Sequence, residues 1–243
     1  MYQEFFTNKY NINQIPCIFT DIDVFSIEVT EITPSAFVNV PVFPMDRQVK
    51  IQKQRQESDK KLLIGEELLI LYVMSQKLPQ ISSMNACDIA KILQRETDVY
   101  GKPFFVNLPH IHFNVSHSGK YCVAAFSSSP VGIDVQEICT PFMDIADSFF
   151  NLEERNYLHS IDESAQPGAF YELWTLKESY VKAVGKGMQI SLDAVYEEKK
   201  SDHLFTIRCL SEPYPYLAYV AKDFDKEYRL SVCKEDPIRM NVH

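Results

Sequence analysis

Residues 169–184 limit the fold more than any other stretch. They are long enough for about four turns of helix. Leu173, Leu176, Tyr180 and Val184 recur there at helical spacing, and the pattern stops at Gly185, a residue suited to the left-handed position after a helix. An apolar stripe of that length needs a second layer to cover it, and alternating segments elsewhere can supply one. Residues 23–30, 104–107, 111–115 and 131–136 read as strands, as do 204–210, 217–220 and 228–232. A second apolar helix spans 62–74, preceded by a basic stretch with Arg47, Lys50, Lys53, Arg55, Lys60 and Lys61. Asn85 with Asp88 marks a helix start, and Asn151 with Glu154 resembles a capping box opening a helix through Leu158. Residues 121–126 are apolar throughout and fit either a strand or a buried helix. Helices and strands mix along the whole chain, so the expected class is α+β. The turn signal Ser127-Ser128-Ser129-Pro130 places a boundary between an N-terminal half, 1–129, and a C-terminal half, 130–243.

Charge and cysteine usage exclude several functions. A net charge of -9 argues against a general nucleic-acid surface, which needs a basic face. It leaves room for a local basic pocket that takes a small anion. The six cysteines are scattered and form no C-x-x-C pair, which speaks against a disulfide framework or a zinc ribbon. The longest apolar run, 68–74, is too short to span a bilayer, and the first residues lack the pattern of a signal peptide. The expectation is a cytoplasmic protein with no membrane or nucleic-acid partner.

Four segments carry possible chemistry. In 131–136, Val131, Ile133 and Val135 share one strand face, while Gly132, Asp134 and Gln136 share the other. A carboxylate and an amide thus project together beside a glycine. Taken alone, this is an ordinary strand with a polar outer face. On the helix, Tyr171, Thr175, Glu178 and Lys182 fall on a stripe of their own, and Glu178 and Lys182 stand at i and i+4. That spacing is also common in plain surface ion pairs. The third segment, Phe113-Asn114-Val115-Ser116-His117-Ser118-Gly119, runs from a strand into a polar turn. His110, His112 and His117 lie close in sequence, yet no further cluster completes a four-ligand zinc site. The fourth, Gly101-Lys102-Pro103, is a turn with a positive charge. Five of the seven glycines lie in or beside these segments.

Taken in order, these segments resemble the surfactin-synthetase-activating type of 4′-phosphopantetheinyl transferase. The resemblance rests on Gly101-Lys102-Pro103, on 113–119, on Val131-Gly132-Ile133-Asp134, on Trp174-Thr175-Leu176-Lys177-Glu178-Ser179-Tyr180-Val181-Lys182 and on Gly185-Lys186-Gly187. It covers about residues 44–192. It implies two similar α+β halves about a pseudo-twofold axis, with coenzyme A in the cleft between them. It implies transfer of the phosphopantetheine arm to a serine of an apo acyl or peptidyl carrier protein by a monomer, with release of 3′,5′-ADP. Asp134, Gln136 and Glu178 would surround Mg²⁺, with Mn²⁺ as the alternative. Glu178, Lys182 and Asp134 would be the catalytic set, with Lys182 on the pyrophosphate. Lys102, Pro103, Ser116 and His117 would meet the nucleotide, and Arg47, Lys60 or Lys61 its 3′-phosphate. Many members carry glutamate where this chain has Gln136, which offers only a neutral oxygen. Two other readings stay open: a coenzyme A-binding regulatory protein without catalysis, and a metal-dependent phosphohydrolase. For carrier docking, Phe142 and Met143 are the candidates, with Phe149 and Phe150 assigned to the core.

Overall fold

A computed structural model describes residues 10–37, 43–140 and 143–237. Phe142 lies outside them. Two antiparallel sheets dominate. The first has the order β1 (Ile12–Ile15), β2 (Ile22–Glu28), β6 (Tyr121–Ser127), β5 (His112–Ser118). The second has the order β7 (Val131–Glu137), β11 (Tyr228–Glu235), β10 (Tyr216–Val220), β9 (Leu204–Cys209), β8 (Val195–Lys199). A short pair, β3 (Arg95–Thr97) with β4 (Pro103–Phe105), carries the loop that contains Gly101 and Lys102. The first sheet therefore uses strands before residue 128, and the second uses strands after residue 130.

Six α-helices complete the described residues: α1 (Met45–Lys53), α2 (Glu57–Lys77), α3 (Ala86–Ile92), α4 (Met143–Phe149), α5 (Leu152–Ser160) and α6 (Gln166–Val184). Period-two alternation decides how the layers stack. Ile27, Ala124 and Phe126 of the first sheet pack against Ile64, Leu68 and Met74 of α2. The opposite face of that sheet, through Val24, Val123 and Ala125, packs on Val131, Ile133, Val135, Leu230 and Val232 of the second. The far side of the second sheet, with Ala218, Val220 and Cys233, takes Leu176, Tyr180 and Ala183 of α6. The order of layers is helix, sheet, sheet, helix, and β7 is buried on both faces.

This stacking alters the reading of the polar face of β7. Asp134 is only 2% exposed because α6 covers it. Gly132 is required at that crossing. A Cβ there would meet the Ser179 carbonyl at 2.0 Å and the Ala183 nitrogen at 2.4 Å, so α6 rests on the strand backbone. Helix α6 begins at Gln166, three residues before the expected start, because Pro167 sits in its first turn, where a missing N–H costs nothing. It ends as expected at Gly185, with φ +83°. Residues 121–126 form a strand. The capping box at α5 is complete, with the Asn151 side chain accepting from the Glu154 N–H and the Glu154 carboxylate accepting from the Asn151 N–H.

Candidate active site

The two sheets meet at their edge strands, β5 and β7, and the seam between them is made of side chains. Asn114 Oδ1 accepts from the Ile133 N–H at 3.0 Å, Ser116 Oγ from the Val135 N–H at 3.4 Å, and Ser118 Oγ from the Glu137 N–H at 3.0 Å. Alternate residues of one strand thus satisfy alternate amides of the other, an arrangement a buried sheet edge needs. The polar character of 113–119 is explained first by this seam.

Ser116 and Asp134 begin the site. Ser116 Oγ donates to Asp134 Oδ1 at 2.8 Å. Lys182 Nζ, arriving from α6, donates to the same oxygen at 2.6 Å, to Ser116 Oγ at 3.1 Å and to the Ile133 carbonyl at 3.2 Å. Gln136 Nε2 donates to Asp134 Oδ2 at 3.1 Å. Glu178 stands one turn before Lys182 on α6. Burial first, and then the negative charge of Asp134, push its carboxyl above the usual carboxylate range, while Lys182 pulls it back. Glu178 and Lys182 line a cavity of about 700 Å³ together with Trp174, Pro103 and Asn114. Asp134 lies beneath Lys182.

The structure therefore brings Asp134, Gln136, Glu178, Lys182 and Ser116 together, with Pro103 on the cavity wall. Lys102 also lines this cavity, while its Nζ ends on the backbone carbonyls of Ala183 and Val131. The remaining expected residues go elsewhere. His117 is exposed near the end of β5. Arg47 is engaged by Glu66 and Glu67, each at 2.6 Å, and lines a second cavity of about 620 Å³ with Lys50 and Arg95. Gly101 and Pro103 border both cavities, so the loop before β4 divides them. Lys61 Nζ donates to the Thr30 carbonyl at 2.7 Å, and Lys60 lines a third cavity beside Phe37 and Arg55. Of the aromatic pair, Phe150 is core at 2% exposure. Phe149 is 45% exposed, lines the main cavity and meets the Trp174 ring edge-on, whereas Met143 packs on the Phe150 cluster.

Sequence reasoning missed a second ionic cluster. Lys177, fully buried, pairs with Glu154 at 2.6 Å, lies 4.0 Å from Glu197, and donates to the carbonyls of Leu192 and Val195. Burial and the neighbouring Glu154 hold the Glu197 carboxyl far above its usual range. One signal was available: Leu173, Lys177, Tyr180 and Val184 share helical spacing, which puts this lysine in the apolar stripe.

Among the described residues no three His, Cys, Asp or Glu side chains form a metal cluster. The donor set still suits a hard divalent cation. Mg²⁺ takes oxygen ligands and usually relies on one or two carboxylates plus substrate phosphates. Two carboxylates that repel each other, one held above its ordinary range, would be relieved by such an ion.

Comparisons with known proteins agree with this geometry. A model of the 4′-phosphopantetheinyl transferase superfamily matches residues 130–233. A 4′-phosphopantetheinyl transferase of Bacillus subtilis is 38% identical over 138 residues, 57% of this chain and 61% of that protein. The 4′-phosphopantetheinyl transferase Sfp of B. subtilis strain 168 is 36% identical over 142 residues, 58% and 62% of the two chains. The 4′-phosphopantetheinyl transferase ffp of B. subtilis is 32% identical over 181 residues, 74% and 76% of the two. The chain thus spans about three fifths of the length of the first two relatives and about three quarters of the third. Holo-[acyl-carrier-protein] synthase of Thermotoga maritima matches 43% of this chain and 61% of its own at 17% identity and a TM-score of 0.36. Fold and site define the class first: an α+β protein with two carboxylates and a lysine gathered at one cavity. The chain belongs to the 4′-phosphopantetheinyl transferase family.

Proposed function

We propose that this protein moves the 4′-phosphopantetheine group of coenzyme A onto a serine of an apo acyl or peptidyl carrier protein. The observation that carries this reading is that Glu178 and Lys182 line one cavity wall, one turn apart on α6, with Lys182 bonded to the buried Asp134. Family membership supports it. Phosphoryl transfer needs positioning and charge neutralisation more than covalent chemistry from the protein. Lys182 supplies a fixed positive charge for the pyrophosphate of coenzyme A. Glu178, with its carboxyl held above the usual carboxylate range, is suited to take the proton of the carrier serine. The serine oxygen forms a bond to the phosphorus that bears the pantetheine arm, the bridging P–O bond of the pyrophosphate breaks, and 3′,5′-ADP leaves. Asp134, Glu178 and the amide of Gln136 would hold Mg²⁺ or Mn²⁺, which would neutralise pyrophosphate charge when bound. Pro103, Ser116, His117 and the loop at Lys102 lie on the side we assign to the nucleotide, with Arg47 beyond the loop toward the 3′-phosphate. The same reading takes residues 1–129 and 130–243 as related halves of a monomer, and the protein as cytoplasmic. No helix among the described residues is long and apolar enough to cross a membrane.

The test is to incubate the protein with coenzyme A, Mg²⁺ and apo carriers from fatty-acid, polyketide and nonribosomal-peptide systems. The expected result is a carrier heavier by one phosphopantetheine arm, with one 3′,5′-ADP released per arm. Coenzyme A binding with no carrier modified would leave a non-catalytic binding protein, and phosphate release without any carrier would point to a hydrolase.

A further inference from the structure

Lys102 occupies the loop that divides the two large cavities, and its ammonium is committed to backbone. Nζ donates to the Ala183 carbonyl at 2.8 Å and reaches the Val131 carbonyl at 3.4 Å. Among the described residues, no backbone N–H of a turn, loop or cap donates to either acceptor. Ala183 is in the last turn of α6, where carbonyls are left over by the helix. Val131 opens β7, whose amides at Ile133, Val135 and Glu137 turn toward β5. By antiparallel alternation its carbonyls at Val131 and Ile133 turn the same way, off the free edge. Lys182 takes the Ile133 carbonyl. Two lysines, one from each half of the chain, therefore cap successive carbonyls of one strand edge.

The clamp is braced on both sides. The stem of Lys102 lies on Gly185, where an added Cβ would come within 2.9 Å of Lys102 Cδ. Its own backbone is held by Asp98, whose Oδ1 accepts from the N–H groups of Tyr100 and Lys102, each at 2.9 Å, and whose N–H donates to the Lys102 carbonyl at 2.9 Å. A positive group at a helix C-terminus also meets the negative end of the helix dipole. Burial lowers the Lys102 ammonium to about 8, as expected for an amine enclosed by protein.

We propose that Lys102 is a positioning residue that latches the last turn of α6 to the edge of β7, and so fixes Glu178 and Lys182 relative to Asp134. The nucleotide then meets the backbone and prolyl ring of the loop, and the Lys102 charge stays on the protein. The kinetic consequence rests on the transferase reading. The latch itself does not.

Two measurements decide it. Reductive methylation of the wild-type protein, read by mass spectrometry with and without coenzyme A, should label Lys102 at least ~10-fold more slowly than exposed Lys53 in both states. Labelling as fast as Lys53 in the free protein, with protection by coenzyme A, would make Lys102 a ligand and overturn the latch. In Lys102→Met, amide exchange across 181–187 should quicken ~10-fold and kcat should fall ~10-fold, with KM for coenzyme A within ~3-fold of wild type. A ~10-fold rise in KM with exchange and kcat unchanged would refute the proposal. If the variant does not fold, the wild-type labelling still decides. If the wild type modifies no carrier, the transferase reading fails, while labelling and exchange test the latch unaltered.

Discussion

Helix α6 carries two lysines five residues apart, and each stands among two carboxylates. Lys177 meets Glu154 and Glu197, while Lys182 meets Asp134 and stands one turn from Glu178. The chemistry is nearly the same and the surroundings are not. Lys177 is sealed, with its ammonium spent on Glu154 and on two carbonyls that tie down the start of β8 and the segment before it. Lys182 is 27% exposed and lines a cavity. In the sealed cluster, charge is neutralised internally, and the group has nothing left for a ligand. In the open one, the pairing is incomplete because Glu178 remains repelled by Asp134. A buried ion pair alone therefore says little about function. The edge exposed to a ligand-sized space distinguishes architecture from chemistry.

Substitutions can break this contrast. In the open cluster, Glu178→Gln should lower turnover ~10²–10⁴-fold while leaving the unfolding midpoint near wild type. A normal rate in Glu178→Gln would remove Glu178 from the chemistry. In the sealed cluster, Lys177→Met should cost ~3–5 kcal/mol in urea unfolding, since it strands Glu154 without a counter-charge. A loss of rate with unchanged stability would show that the two clusters had been assigned the wrong way round. Ser116→Ala should cost ~1–3 kcal/mol, because it removes the acceptor of a buried Val135 N–H together with a donor to Asp134.

The last effect concerns pH. Folded Glu197 keeps a proton that the unfolded chain releases in the ordinary glutamate range. Stability should accordingly fall as pH rises from that range through the raised folded value. Glu197→Gln should flatten the slope in unfolding measured from pH 5 to 9. An unaltered slope would mean that Glu197 is charged in the folded protein.

Much of the scaffold was legible because local rules and packing agree there. The α6 stripe, the Gly185 stop, the Asn85 and Asn151 caps and the strand at 131–136 each follow from spacing or cap chemistry. Residues 121–126 remained undecided because a strand buried on both faces has no polar beat to mark it. The strands β1, β3 and β8 escaped notice because they are short and largely exposed, so their pattern is set by neighbours. At the site, Asp134, Glu178 and Lys182 were singled out by the family resemblance, since residue type and spacing alone left an ordinary strand and a surface ion pair. The burial of Asp134 was not legible, since it depends on α6 crossing at Gly132. Lys102 and Arg47 looked free in sequence because their partners are backbone carbonyls and distant glutamates.

The seam at Asn114, Ser116 and Ser118 has a consequence for how such a protein changes over time. A ladder of peptide groups is the same whatever residues compose it, and point mutation cannot retune it. Here every rung is a separate side chain, written by its own codon. The angle between the two sheets can be adjusted one substitution at a time, and with it the spacing of groups on either wall of the cavity, while each sheet keeps its own pairing.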